Sequence, residues 1–134
     1  MRFLALVLSG LAMLGAVPAS ADELWHNPHS SVAVRTGVCG DRLCGWIVWA
    51  NGEARADAHD AGVSDLIGTA LLQDYQRVGR GRWKGTVFVP DMDHRFSSEI
   101  DQISPTRLKV KGCLIGGLIC KSQVWSRIAE LPRD

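Results

Sequence analysis

The stretch Val38-Cys39-Gly40-Asp41-Arg42-Leu43-Cys44-Gly45-Trp46-Ile47-Val48-Trp49-Ala50 decides how the rest of the chain is read. Cys39-Gly40-Asp41-Arg42 has turn chemistry, and Leu43 to Ala50 is apolar on both faces, as in a strand buried on both sides. On the N-terminal side, Ser31 to Val38 alternates. Val32, Val34 and Val38 share one face, and Ala33 and Arg35 share the other. Two strand-like runs that meet at a turn, with a cysteine on each side of it, read as a stapled hairpin.

Further along, Asn51 to Asp65 is polar and rich in Ala and Asp; it reads as a long loop, or one with a single short helical turn. Leu66 to Leu72 is apolar and contains β-branched Ile67 and Thr69. A strand there competes with a helix over Asp65 to Val78, which Gly68 weakens. Gly79-Arg80-Gly81 is a turn. Trp83 to Val89 then alternates, with Trp83, Gly85, Val87 and Val89 against Lys84, Thr86 and Phe88, and Pro90 stops it. Arg95 to Ile103 alternates again. Ser104-Pro105-Thr106 is a tight turn before Leu108 to Lys111, and the Gly116-Gly117 loop leads into Cys120 to Ile128. The last residues, Ala129 to Asp134, read as a frayed tail. About eight short strands at regular spacing, with no helix identified, imply an all-β antiparallel barrel or sandwich.

Four cysteines, Cys39, Cys44, Cys113 and Cys120, allow three connectivities. Local bonds, Cys39–Cys44 and Cys113–Cys120, would each clip a hairpin and contribute about 2–2.5 kcal/mol in the chain-entropy model. Bonds between the two pairs would close far longer loops, worth roughly 4.5 kcal/mol on the same formula. Geometry favours the local bonds, because hairpin ends already lie within the reach of a disulfide. Neither pair is Cys-x-x-Cys, which disfavours a redox dithiol or a zinc knuckle.

The N-terminus has the pattern of a removable leader. Met1-Arg2 is followed by an apolar run from Phe3 to Val17, then Ala19-Ser20-Ala21, a small-x-small cleavage site. The run is shorter than the ~20 residues a spanning helix needs. No later stretch is long and apolar enough for stable membrane insertion. No cysteine follows the cleavage site, so there is no point for lipoprotein acylation. Residues 1–21 are thus expected to be a cleaved signal peptide and residues 22–134 a single domain, periplasmic or secreted. A domain of that size buries around two-thirds of its surface on folding, enough for one core. The chain has 15 Lys+Arg and 14 Asp+Glu, and only Arg2 lies in the leader. The mature part is therefore charge-balanced, which argues against a nucleic-acid partner and gives no electrostatic reason to sit on anionic membrane.

Val38 to Trp49 resembles the Cys-Gly-Asp-x-Leu-Cys-Gly-x-Ile-Val-Trp signature of an exported bacterial family, domain of unknown function 2147. Gly81-Arg82-Trp83-Lys84-Gly85-Thr86-Val87-Phe88-Val89-Pro90 is similar to its Gly-x-Trp-x-Gly-x-Ile-Tyr-x-Pro strand. Leu108 to Cys113 and Leu118 to Arg127 are similar to its closing Leu-Lys-Val-x-Gly-Cys and Leu-Cys-x-x-Gln-x-Trp-x-Arg segments. The opening Gly-x-Trp of the family is Glu23-Leu24-Trp25 here. Its Tyr-Asp-Pro-Glu-Asp-Gly-Lys-x-Tyr stretch is Phe88 to Phe96, and its Asn-Pro-rich loop is replaced by Glu53 to Ser64. Any chemistry that used those tyrosines or the acidic pair is lost. The resemblance implies a small lipocalin-like barrel and no agreed activity. In such barrels a cation from the final strand commonly covers a first-strand Trp, so Arg127 is expected to stack over Trp25 and plug one barrel end.

For a ligand pocket, the expected lining is Trp46 or Trp49, with Trp83, Val87 and Phe88. Trp46 and Trp49 point to opposite faces of a regular strand, so at most one is luminal. Small Gly45 and Gly85 beside large tryptophans leave room for an apolar ligand, but a barrel of about eight strands can also be filled by its own side chains. His26-x-x-His29 and Asp91-x-Asp93-His94 are weak metal-ligand patterns, and no metal or other cofactor is expected. No Gly-x-Ser-x-Gly elbow occurs, and Glu99 and Asp101 on one strand face read as solvating residues rather than an acid–base pair.

The expected function is non-catalytic binding of a small apolar molecule or envelope component. The alternative is a protein-interaction module, a periplasmic inhibitor or envelope-stress factor, acting through loops 51–65 and 91–95; a hydrolase is the remote third. The oligomeric state is not legible. Intact mass of the exported protein should correspond to a chain that starts at Asp22; a mass that retains residues 1–21 would overturn the leader assignment.

Overall fold

The computed structural model describes residues 22–114 and 118–133. The leader read over residues 1–21 and the Gly116-Gly117 turn lie outside the described residues. The strands are β1 (Glu23–His26), β2 (Val32–Cys39), β3 (Arg42–Ala50), β4 (Ala70–Gly79), β5 (Arg82–Val89), β6 (His94–Ser104), β7 (Arg107–Leu114) and β8 (Ile119–Ile128). A helix, α1 (Gly52–Asp60), lies between β3 and β4. Each strand pairs antiparallel with the next, and β1 pairs with β8, so the sheet closes into a barrel in simple sequence order. Of the two all-β architectures left open by the strand pattern, the barrel is the one that forms.

Closure rests on the register Leu24↔Ile128, Trp25↔Arg127 and His26↔Ser126. Trp25 is fully buried at this seam. Its indole Nε1 donates to Thr36 Oγ1 at 3.2 Å, and that hydroxyl donates to the Glu23 carbonyl at 3.3 Å. The ring's one polar atom and the buried threonine are thereby both satisfied.

Both disulfides are local, Cys39–Cys44 and Cys113–Cys120, with Cα separations of 5.8 and 4.0 Å. The antiparallel topology puts the first at the end of the barrel with the β2–β3, β4–β5 and β6–β7 turns, and the second at the opposite end, with α1. Each end is therefore clipped once.

Two segments differ from the sequence pattern. The stretch expected as a loop holds a nine-residue helix. Asn51 caps it by accepting from the Ala54 N–H at 2.8 Å, and Glu53 complements the positive first turn. The helix lacks an apolar stripe and buries only Ala58, so hydrophobic periodicity could not announce it. The expected strand over Leu66 to Leu72 starts later, at Ala70, and runs to Gly79. Asp74, at φ 53°, sits where the β4–β5 register slips, between Gln73 and Gln76. That bulge breaks the alternation through Gln73 to Arg77 and hid the strand.

Half of the interior is filled by side chains that sit on glycines. A Cβ added to Gly85 would lie 2.6 Å from Tyr75 Cγ and 2.8 Å from the Gln73 carbonyl oxygen. One added to Gly45 would lie 2.8 Å from a Leu72 methyl and 2.9 Å from a Val34 methyl. The space expected beside these glycines is thus occupied by Tyr75 and Leu72, both fully buried. Gly85→Ala should overpack this contact, where backbone as well as ring must move, and lower unfolding stability by about 1–3 kcal/mol in urea titration.

Candidate ligand-binding cavity

Toward the end that carries α1, the interior is not filled. A cavity of about 640 Å³ opens there. Its deep wall is apolar, made by Leu66, Leu71, Val87, Val110 and Trp125, all buried, with half-buried Phe96 beside them. Its mouth is polar: Asn51, Glu53 and Asp57 from α1 and its cap, Asp91 from the β5–β6 turn, and Lys121 and Gln123 from β8. The β8 residues follow from the pleat, since 121, 123 and 125 share one strand face that runs from rim to floor. Trp125 donates its indole N–H to Gln123 Oε1 at 3.2 Å, so its ring meets the cavity with its polar atom satisfied.

Of the expected lining residues, Val87 and Phe88 border this cavity, and Trp46, Trp49 and Trp83 do not. Trp46 pairs with Arg35 on the outer face, where the guanidinium lies 5.9 Å from the ring centroid. Trp49 is opposite Ala33, whereas Ile47 is opposite Val34: one residue, Val48, is inserted between the two pairings. This bulge turns Trp49 to the face opposite Ile47, so both tryptophans lie outside. Trp83 packs on the core opposite Ile100, away from the mouth. Phe88 stands near the β5–β6 turn, with the Arg95 guanidinium 5.2 Å from its ring centroid. Trp125, the floor of the cavity, was not among the expected lining; its place two residues from Arg127 on an alternating strand was the available signal.

Arg127 does reach the Trp25 end of the barrel, directly across from that residue. Its guanidinium pairs with Glu23, Nη1 to Oε1 at 3.4 Å, in place of the expected stack over the indole. The acidic residue two positions before Trp25 shares its strand face and offers the cation a full charge. Burial raises the Glu23 carboxyl above the usual carboxylate range, and Arg127 opposes that shift in part. The second carboxyl oxygen, Oε2, is buried with no hydrogen-bond partner.

Glu99 bridges Lys84 at 3.6 Å and Lys111 at 3.3 Å, and Asp101 pairs with Arg82 at 3.3 Å, on the outer face. The Lys111 hydrogen bond and charge, with help from Lys84, hold the Glu99 carboxyl below its ordinary value, the wrong direction for a general acid. His29 and Asp91 border the cavity, whereas His59 and His94 are not among its lining residues. Among the described residues the metal-donor atoms that come together belong to Cys39, Cys44 and Asp74, and the two sulfurs are already bound to each other. In the filled half, burial pushes the Tyr75 hydroxyl well above the usual phenol range, and the Ser98 hydroxyl beside it opposes the shift. Neither oxygen reaches hydrogen-bonding geometry with a partner.

The family profile described as "Uncharacterized protein conserved in bacteria (DUF2147)" matches residues 23–127, from the start of β1 to one residue short of the end of β8. The chain belongs to this family. Its fold is also that of a solved structure titled "Protein HP1028 from the human pathogen Helicobacter pylori belongs to the lipocalin family". That likeness has a TM-score of 0.61 at 12% sequence identity and covers 86% of each chain. It establishes a lipocalin-like barrel. Comparison with curated proteins finds no match.

Glu23 makes this barrel end sensitive to pH. A raised folded-state value means that its contribution to stability is fully present below the unfolded value, about 4.5, and falls as pH rises through the folded value. Glu23→Gln should therefore gain on the natural protein as pH is raised above that point, in urea titrations at a series of pH values. A stability difference independent of pH would contradict the assignment.

Proposed function

We propose that this protein is an exported, non-catalytic binder that holds a small apolar ligand or envelope component in the cavity beside Trp125. The observation that carries this reading is the cavity itself, about 640 Å³ with a buried apolar wall and a polar mouth. That volume lies inside the ~300–1,000 Å³ range of small-molecule sites. The two local disulfides suit an oxidising compartment, in keeping with the leader expected at residues 1–21. No helix among the described residues is long and apolar enough to cross a membrane.

A second reading, a protein-interaction module, has one observation in its favour. Glu53 and Asp57 of the 51–65 segment and Asp91 and Met92 of the β5–β6 connection border the same mouth. A partner that grips these loops would cover the cavity, whereas a small ligand would enter it.

Gly112 provides the test. It borders the cavity, and a Cβ there would meet Val87 Cγ1 at 3.5 Å, an ordinary contact. Gly112→Phe should fill the cavity from its wall with little effect on folding. The natural protein should bind a neutral apolar reporter such as N-phenylnaphthylamine and carry a small molecule in native mass spectra of material from its own host. The variant should do neither, at an unchanged melting temperature. Reporter binding that survives the substitution would sink the small-ligand reading.

A further inference from the structure

The cavity's lining is not charge-neutral, and this bears on what part of a ligand stays at the mouth. Resting on the small-ligand reading, we infer that the occupant is an amphiphile with an ammonium-type head: its apolar chain lies against Trp125, and its cation lies among Glu53, Asp57 and Asp91.

The apolar wall is the first half of the argument. Leu71, Val87, Val110 and Trp125 are buried and offer a ligand no charge and no free hydrogen-bonding group, since the Trp125 N–H is held by Gln123. A compact polar molecule would lose its hydration there without replacement, so what enters this half is hydrocarbon. The rim is the second half. It carries three carboxylates against one ammonium, Lys121, with His29 as the remaining titratable group. None of the three carboxylates has an ion pair among the described residues.

Glu53 and Asp57 are also four apart on α1, side by side on the face that borders the cavity. Like charges at that spacing destabilise a helix. Of the two basic side chains of α1, neither lines the cavity: Arg55 donates from Nε to the Ala50 carbonyl at 3.1 Å, and His59 lies in the last turn. A repulsive pair facing a cavity, with its neighbouring cation committed elsewhere, is relieved when a ligand brings the positive charge. An anionic head in the same place meets the same carboxylates and is repelled.

The test is displacement of N-phenylnaphthylamine from the mature protein by dodecyltrimethylammonium, dodecanol and dodecanoate at neutral pH, each below its micellar concentration. The cationic amphiphile should compete about tenfold more tightly than the carboxylate of equal chain length, with the alcohol between them, and the gap should narrow with added salt. In the triple variant Glu53→Gln, Asp57→Asn, Asp91→Asn the cation and the carboxylate should compete within about twofold of each other, with reporter affinity retained. Dodecanoate that competes as well as the cation, or a preference unchanged in the triple variant, would overturn the inference while leaving the cavity a binding site. Failure of the reporter itself to bind would instead remove the reading on which the inference rests. Lysophosphatidylethanolamine identifies the source of the head group. Competition equal to that of the alkylammonium assigns a membrane lipid, and much weaker competition assigns an amine without a neighbouring phosphate.

Discussion

The barrel is closed by few contacts, and everything inside it depends on them. β1 is only four residues long, and three residue pairs join it to β8. Without them the sheet would have two free edges, each a row of unpaired backbone groups. Trp25 compensates for the short seam. It is the largest fully buried side chain, and its hydrogen bond to Thr36 ties β1 to β2 from inside while Arg127 faces it from β8. The Glu23–Arg127 pair closes the rim just beyond. A charge pair there, half-exposed on the arginine side, adds little stability by itself; the burial of Trp25 is the larger effect.

Closure creates an interior that the chain then divides in two. At the end with the three tight turns, large side chains enter the notches left by glycine: Tyr75 over Gly85, and Leu72 and Val34 over Gly45. Toward the α1 end the inward residues Val87, Val110 and Gly112 border the cavity. Trp125 forms the floor between the halves. α1 contributes polar side chains to the rim and little to the core, since Ala58 is its one buried residue. The helix is anchored by its Asn51 cap and by Ala58, with Ala54 packed beside it on the core.

Several features were readable before any coordinates. The Cys39–Cys44 and Cys113–Cys120 hairpins follow from turn residues between alternating runs, and the shared face of Trp83 and Val87 follows from the period of two. Val87 and Phe88 both border the cavity, although the period of two sets them on opposite faces of β5. The tryptophans of β3 do not. Trp46 and Trp49 lie three apart, and a regular strand would put one of them inside; the extra residue at Val48 puts both outside. α1 was missed because an Asn cap with alternating alanines carries no amphipathic stripe, and β4 was shifted because Asp74 interrupts its alternation.

What the sequence by itself determined is local: where strands run, where the chain turns, which cysteines can meet, and the family to which these segments belong. Those properties depend on neighbours a few residues apart, through pleat alternation, turn conformation and short-range sulfur geometry. Only the tertiary structure decided how much of the barrel is empty. That volume is set by which distant side chain fills each glycine notch and by a one-residue slip of β3 against β2, just as only the folded barrel pairs Arg127 with Glu23. Each of these is a contact between strands, and the register that brings them together is fixed only when the sheet has closed on itself.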